Sequence, residues 1–445
     1  MSVTDSLDQI HLLVQDSELE SLAALVGEAS SPDIADLLYR LPAVDAAVVY
    51  RLLPKDKAID VFEILDSAAQ ADLVTELAET EVVNVFEALD PDDIVGLLDE
   101  LPAKVTKRLL RTLSPRQRTA TAPILGYPHG SVGRRMTPEY VSARLDEPVS
   151  NVLVRLQRNA DNYETVYTVP VVDNARVLVG VCSLRDLLTA DDTALIQEIM
   201  SVPASVRTLD GDESSARRLM DAGVLALPVV DSEDRLVGLF TLDDAVRIIR
   251  TEDAEDAARA GGTEPLRRTY MLTTPFHMTR SRITWLLILA VSAILTVKVL
   301  DIFEDPLSVY PLALFIPLLT GTGGNTGSQA ATTVTRSLAM NELSTADTLR
   351  VAFKEIRTGA MLGLVLGLIG FGLAAVVFGP DIGVVIGLTL LAICAMAATV
   401  GGIMPMLAST VRADPAVFST PFISTFADAT GLIIYFSIAK AILGI

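Results

Sequence analysis

Two rhythms of apolar residues divide the chain. Between residues 41 and 113 a leucine returns at every twelfth position, at Leu41, Leu53, Leu65, Leu77, Leu89, Leu101 and Leu113. Most are followed within two residues by a residue that starts helices: Pro42, Pro54, Asp66, Asp90 with Pro91, Pro102, and Ser114 with Pro115. Proline is tolerated in a first helical turn, where its missing N–H has no partner in any case. The spacing predicts a solenoid of short helices, each stopped near its leucine and restarted by the next Pro, Asp or Ser. Such a stack is a binding or gating module rather than a catalytic one. Later in the chain, long apolar runs take over, at Ile283–Ile302, Ser308–Ala339, Gly359–Phe378, Ile382–Ser409 and Val417–Leu443. Each reaches the roughly 20 residues that a hydrocarbon core of about 30 Å demands. They predict five membrane helices, the second interrupted by glycines, with tilt or breaks in the second, fourth and fifth.

Between these regions the sequence repeats itself. Val169-Pro170-Val171-Val172-Asp173 returns as Leu227-Pro228-Val229-Val230-Asp231, and Leu178-Val179-Gly180-Val181 as Leu236-Val237-Gly238-Leu239, both at an offset of 58. Ser183-Leu184-Arg185-Asp186 matches Thr241-Leu242-Asp243-Asp244 at the same offset. Upstream, Met136-Thr137-Pro138 matches Met200-Ser201-Val202-Pro203 at 64, which places an insertion in the helical stretch between. Short β-branched runs alternating with helical segments over 136–250 resemble a tandem CBS pair. In CBS domains that bind adenosine nucleotides, a Gly-x-x-Ser/Thr-x-x-Asp stretch uses its hydroxyl for phosphate and its carboxylate for ribose. The resemblance therefore points to ATP, with Ser183, Arg185 and Asp186 as the favoured half-site because Arg185 can meet phosphate. Tyr167 is the nearest candidate for stacking on adenine.

Charge sharpens the division. The chain has 445 residues and a formal net charge of −21, yet residues 281–445 carry 8 basic and 9 acidic residues. The first 280 residues therefore hold 27 basic and 47 acidic side chains. An acidic half repels a phosphate backbone, which argues against nucleic acid as a partner and for cations. Cys182 and Cys394 are too few and too distant for a disulfide framework. Met1 to Glu20 has no apolar core of signal-peptide length, so the N-terminus is expected in the cytoplasm. Arg267, Arg268, Arg280 and Arg282 precede the first apolar run, and Asp301, Glu304 and Asp305 follow it. Arg336, Arg350, Lys354 and Arg357 lie between the second and third runs, Asp381 between the third and fourth, and Arg412 between the fourth and fifth. This alternation predicts an inner-membrane, multi-pass protein with its N-terminus inside and its C-terminus outside.

Polar residues inside the apolar runs mark the candidate chemistry. The second run contains Thr320-Gly-Thr-Gly-Gly-Asn325-Thr-Gly-Ser328-Gln329, with Asn325 and Gln329 on one helical face. Irregular backbone at membrane depth is tolerated where it lines a wet cavity, whereas small residues also serve close helix packing. Asp428 is the one acid well inside a predicted span. An ionisable group there costs a few kcal/mol unless it faces water or a partner, which favours a cation site. Hard cations take oxygen ligands, and magnesium gives up water reluctantly, so one carboxylate with amides and carbonyls suits a hydrated ion. Enzymology finds no support: His11, His129 and His277 are scattered, and no nucleophile–base constellation appears.

The order of helical solenoid, CBS pair, acidic linker and five membrane helices resembles the MgtE family of magnesium channels. Thr320-Gly-Thr-Gly-Gly-Asn-Thr-Gly-Ser-Gln-Ala-Ala-Thr332 and Asp428-Ala-Thr-Gly-Leu-Ile-Ile-Tyr-Phe-Ser437 carry the resemblance. It implies a multidomain membrane protein with an all-α N-domain over 1–130, an α/β CBS pair over 131–250, a linker or plug helix over 251–280 and an all-α pore domain over 281–445. It also implies a lipid-embedded homodimer with a pore along its two-fold axis, where Asp428, Asn325, Gln329 and Gly431 meet hydrated Mg²⁺. Cytosolic Mg²⁺ would close that pore by bridging Asp92, Asp93, Asp243, Asp244, Glu252, Glu255 and Asp256. Two departures stand out. Arg247 and Arg250 sit among those acids and can replace a bridging metal with a salt bridge, and Ser328 stands where an amide is expected. Alternative readings are an ion-coupled carrier, a carrier of Mn²⁺ or Co²⁺, and a non-conducting membrane sensor.

Overall fold

A computed structural model describes residues 19–266, 270–303, 311–340, 342–410 and 420–444. The expectations for Arg267, Arg268, Glu304, Asp305, Arg412, His11, the N-terminal segment and the starts of the second and fifth apolar runs lie outside the described residues. The described chain falls into two compact units. One runs to Glu252 and takes in the short stretch ending at Thr273, and the other comprises Asp253–Leu266 and the chain from Thr274 onward.

The first unit opens with nine short helices: α1 (Leu19–Glu28), α2 (Ser31–Arg40), α3 (Ala43–Arg51), α4 (Lys55–Ile64), α5 (Ser67–Glu76), α6 (Glu79–Ala88), α7 (Pro91–Glu100), α8 (Ala103–Thr112) and α9 (Pro115–Leu125). Leu41, Leu65, Leu77, Leu89, Leu101 and Leu113 are the C-caps of their helices, and all except Leu113 are plainly extended. After α3 the chain turns one residue earlier, at Leu52. Asp66 accepts the Ala69 amide at 2.8 Å, and Ser114 and Gln117 form a reciprocal capping box. The stopping leucines are also core. Leu65 is 1% exposed, and the others of the series are buried in one continuous cluster. Truncating such a side chain to alanine costs about 2–5 kcal/mol. Most of these helices pack chiefly on the helix two further along, as α2 does on α4 and α5 on α7.

The CBS pair follows with two three-stranded sheets. In the first, β1 (Ala143–Arg144) runs parallel to β2 (Thr168–Val172), which pairs antiparallel with β3 (Leu178–Ser183). Helix α10 (Val149–Asn159) lies between β1 and β2, while α11 (Leu184–Thr189) and α12 (Ile196–Ile199) follow β3. The second sheet repeats this order with β4 (Val206–Arg207), α13 (Asp212–Ala222), β5 (Ala226–Val230) and β6 (Leu236–Thr241). The repeats exchange their leading segments: Thr137 pairs with Leu239, and Ser201 with Val181. This explains the repeated glycine. A Cβ on Gly238 would come within 2.8 Å of the Met136 sulfur, and one on Gly180 within 2.5 Å of Met200. Helix α14 (Leu242–Ala260) then runs without a break through residues 251–260.

The second unit is helical, with α15 (Pro275–Ile302), α16 (Ile316–Ala339), α17 (Thr348–Phe378), α18 (Pro380–Thr410) and α19 (Thr420–Leu443). Four of these, α15, α17, α18 and α19, are long and apolar enough to cross a membrane. Helix α16 has 24 residues, but its glycines, threonines and amides keep it outside that group. Two expectations need correction. The glycine-rich segment is continuous helix rather than interrupted backbone. Its glycines are contact points instead: a Cβ on Gly323 would sit 2.7 Å from Ile393, and one on Gly327 2.8 Å from Ile423. The threonine hydroxyls donate back to carbonyls one turn earlier, as Thr322 does to Leu318 and Thr326 to Thr322. Close packing thus offsets the roughly 1 kcal/mol that each glycine costs a helix. Secondly, Arg350, Lys354 and Arg357 lie on the opening turns of α17 rather than in a loop, because Ser344 and Asp347 cap the turn before it. A glycine stripe joins α17 to α18, where Cβ atoms on Gly363 and Gly367 would meet backbone at 2.7 and 2.6 Å.

Candidate cation sites

Helix α7 places two acids in its first turn, where the positive end of a helix dipole favours them. Its buried face includes Asp92 as well as Ile94, Val95 and Leu97, because α7, together with α9, is where the solenoid meets the CBS pair. Arginines hold both of its ends. Arg134, 8% exposed, donates from Nε and Nη2 to Asp99 at 3.0 and 2.5 Å, and from Nη1 to the carbonyls of Leu125 and Tyr127. At the other end, Arg247 of α14 donates from Nη1 to Asp93 at 2.9 Å and from Nη2 to Asp244 at 2.6 Å.

Carboxylate oxygens of Asp92, Asp93 and Asp244 all lie within 4.8 Å of one another. Thr241 donates to the second oxygen of Asp244 at 2.9 Å. Asp92 has no such help: it is 6% exposed, and its Oδ1 is buried without a hydrogen-bond partner. Glu164, from the loop before β2, also buries an unpartnered Oε2, although its carboxyl shares a hydrogen bond with Thr137. Burial and surrounding acids push these groups toward protonation. Asp92 is raised well above the usual carboxylate range by burial first and Glu164 next. Glu164 is pushed up to about 9, again by burial and then by Asp244. Burial raises Asp244 to about 6 against the pull of Arg247, and raises Asp90 to about 6 with Asp93 contributing.

Of the seven acids expected to bind regulatory metal, the structure gathers Asp92, Asp93 and Asp244. Asp243 is exposed on the outer side of α14. Glu252 lines a separate polar cavity of about 280 Å³ with Asp99, His129, Arg135 and Asp212. Glu255 accepts from Arg259 at 2.8 Å, and Asp256 is half-buried on the same helix. Of the two arginines, Arg247 is engaged and Arg250 is exposed. Glu164 and Asp90 escaped sequence reasoning. Asp90 reads as an ordinary N-cap yet makes no side-chain cap bond, and Glu164 stands in a loop with no pattern around it.

In the first CBS repeat, Ser183 and Asp186 form the capping box of α11: Ser183 Oγ accepts the Asp186 amide at 3.1 Å, and Asp186 accepts the Ser183 amide at 2.8 Å. Arg185 is exposed beside them, and Tyr167 is 56% exposed with its carbonyl accepting the Leu184 amide.

In the helical unit, α16 buries Gly323, Gly324, Gly327, Ala330 and Ala331 and leaves Asn325 and Gln329 exposed. A Cβ on Gly324 would lie 3.1 Å from Ser424 of α19, and the Ser328 and Ser424 hydroxyls are 3.3 Å apart. Asp428 is half-buried on α19 and makes no hydrogen bond or ion pair among the described residues. Gly431 faces into the bundle, where a Cβ would meet Ile393 at 3.3 Å. Tyr435 anchors the far half of α19 by donating to the Leu312 carbonyl at 3.0 Å.

Comparison with known proteins accounts for this order of parts. Family models match residues 29–130 as an MgtE intracellular N domain, 130–192 and 205–251 as CBS domains, and 316–438 as a divalent cation transporter. The chain is 36% identical over 436 residues to the magnesium transporter MgtE of Thermus thermophilus, covering 97% of each. It is 27% identical to the magnesium transporter MgtE of Bacillus subtilis, covering 99% of this chain and 98% of that one. A crystal structure of the cytosolic domain of the Mg²⁺ channel MgtE in complex with ATP is similar at 34% identity and a TM-score of 0.51, over 54% of this chain and 99% of that chain. Relatives that match from end to end, and models that match each part in order, place this chain in the MgtE family.

Proposed function

We propose that the protein conducts Mg²⁺ across the cell membrane, and that divalent cations and ATP on its cytosolic half set how often it does so. The observation that carries the transport reading is Asp428, a carboxylate with no partner among the described residues, on a membrane-length helix packed against the amide-bearing α16. Asn325 and Gln329 are left open on a single chain. Two copies facing across a two-fold axis would turn that polar face inward, around an ion that keeps much of its water. Gly431 contributes by letting α19 approach α18. Five crossings, with α16 as the second, put the N-terminus in the cytoplasm and the C-terminus outside. The domain division is 1–130, 131–250, 251–280 and 281–445. Entry needs no coupling ion, since a divalent cation gains roughly 4.6 kcal/mol per 100 mV from about 2.3 per charge.

Asp92, Asp93 and Asp244 form the regulatory cation site, with Asp243, Glu252, Glu255 and Asp256 as further acids along α14. The chemistry fits a hard divalent ion, because the cluster is all oxygen and holds a buried orphan oxygen at Asp92. ATP takes the first CBS repeat: Ser183 and Arg185 meet phosphate, Asp186 the ribose and Tyr167 the base; the relative's cytosolic domain in complex with ATP supports the choice of nucleotide.

The test is Mg²⁺ flux into liposomes with no proton or sodium gradient. Wild type should pass Mg²⁺, and Asp428→Ala should lose at least tenfold of that flux. Equal flux in both would remove Asp428 from the mechanism. Flux that requires a proton or sodium gradient would make the protein a coupled carrier.

A further inference from the structure

Helix α17 is longer than a membrane needs. Its 31 residues span about 46 Å, whereas about 20 residues cross a hydrocarbon core of some 30 Å. About 20 residues back from Phe378 lies Gly359, so the turns from Thr348 to Thr358 stand at the depth of lipid headgroups. Those turns carry Arg350, Lys354 and Arg357, spaced four and three apart and therefore on one line of the helix. All three are exposed. The same line runs on through Met361, Leu364, Val365 and Leu368, each more than half exposed. The opposite face is occupied, since Gly363 and Gly367 bring α18 to backbone distance there. Glu355 lies on that side too, its Cγ 2.7 Å from where a Cβ on Gly402 of α18 would sit. Asp347 takes one amino group of Arg350 at 3.1 Å, while Lys354 and Arg357 have no ion pair among the described residues. Arg357 lies over the exposed ring of Phe353, 5.9 Å from its centre.

We propose that Arg350, Lys354 and Arg357 form a binding site for the headgroup of an anionic phospholipid, with an acyl chain lying along Met361, Leu364, Val365 and Leu368. Cations followed by an apolar run match such a lipid end to end: phosphate on the guanidinium and ammonium groups, hydrocarbon on the side chains below. A zwitterionic lipid brings its own positive charge and satisfies the cations less well. An acidic peptide would meet the charges and leave the apolar line bare. A second copy meeting this face with the same face would set like charge against like. The site lies on the side of α17 turned away from α18, and it does not depend on Asp428 or on the cytosolic acids.

Native mass spectrometry of the full chain, released from detergent micelles, counts bound lipids directly. Wild type should retain dioleoyl phosphatidylglycerol at concentrations where dioleoyl phosphatidylcholine is lost. Lys354→Gln and Arg357→Gln should each weaken phosphatidylglycerol binding about fivefold, and the triple Gln variant with Arg350 should lose the preference altogether. Arg357→Lys keeps the charge and should keep the preference. Arg280→Gln combined with Arg282→Gln removes charge from α15 and should leave binding unchanged. Thermal unfolding shows which variants are folded, and the single substitutions keep the test open should the triple variant prove unstable. Equal loss in the α15 variant would overturn the site in favour of diffuse attraction between lipid and cations. Glycerol phosphate binding as tightly as the lipid would make this a site for a soluble anion and refute the lipid. A folded triple variant that keeps its lipid also refutes it. A change in the mass of the assembly would then give the face to a second copy, and altered Mg²⁺ flux would give it to the chain's own acids.

Discussion

The two CBS repeats carry the same residues at the same offset and put them to different uses. Ser183 and Asp186 cap α11 at an exposed corner, with Arg185 free beside them. Thr241 and Asp244 begin α14 with the same hydroxyl-to-carboxylate bond, yet both are buried, and Asp244 is tied through Arg247 to Asp93 of the solenoid. Repetition in sequence therefore does not imply repetition of role. What differs is the neighbour: Asp93 of α7 meets the Arg247–Asp244 pair of the second repeat, while the Ser183–Asp186 corner of the first stays exposed.

The largest effect separating the two halves should come from their arginines. Arg247→Ala leaves buried carboxylates without their base, and we expect it to destabilise the first unit by about 2 kcal/mol without divalent ions, with Mg²⁺ restoring part of the loss. Arg185→Ala, on an exposed corner, should change stability by less than about 0.5 kcal/mol. Thermal unfolding with and without Mg²⁺ reads both, and equal losses would erase the distinction. Next in size is nucleotide affinity. Arg185→Ala should weaken ATP binding by about tenfold, the worth of one charge-assisted bond of some 1.5 kcal/mol, while Thr241→Val leaves it unchanged. Calorimetric titration with ATP checks this, and loss in both would mean that the buried half also meets nucleotide.

The smallest effect is a slope with pH. Asp90 and Asp244, raised to about 6, and Glu164, raised to about 9, keep protons in the folded protein that the unfolded chain releases near pH 4. Folding then takes up protons, so the contribution of these groups to stability should be greatest below about pH 4 and fall as pH rises, through about 6 for Asp90 and Asp244 and toward 9 for Glu164, with a slope of at most about 1.4 kcal/mol per pH unit for each group. Saturating Mg²⁺ should flatten that slope, because it stabilises the ionised form. A stability that rises with pH in chelator would contradict this arrangement of charge.

How much of this was legible in the sequence depended on whether the cause was local. The leucine stops were, since the helices end within a residue of their leucines and, after all of these but Leu77, the signal is a Pro, Asp or Ser a step away. The CBS strands were too, because their repeats fix register. The glycine run of α16 was misread as a break: its cost to the helix is local, but the packing against Ile393 and Ile423 that offsets it is not. The acids Asp92, Asp93 and Asp244 were named from a resemblance, and the structure brings them together. Glu164 was missed because nothing near it in the chain marks it. Arg247 was seen as an intruder among acids, and its bridge became visible once α7 and α14 were side by side.

The helices of the solenoid rest on their second neighbours, so the unit of architectural change is a pair. Losing or gaining one helix with its leucine would present every later helix to the wrong face of the stack. Losing or gaining two would return each to the side it occupied before. A lineage can therefore lengthen or shorten this domain in even steps while keeping α7 aimed at its partner, and single steps would point its acids elsewhere.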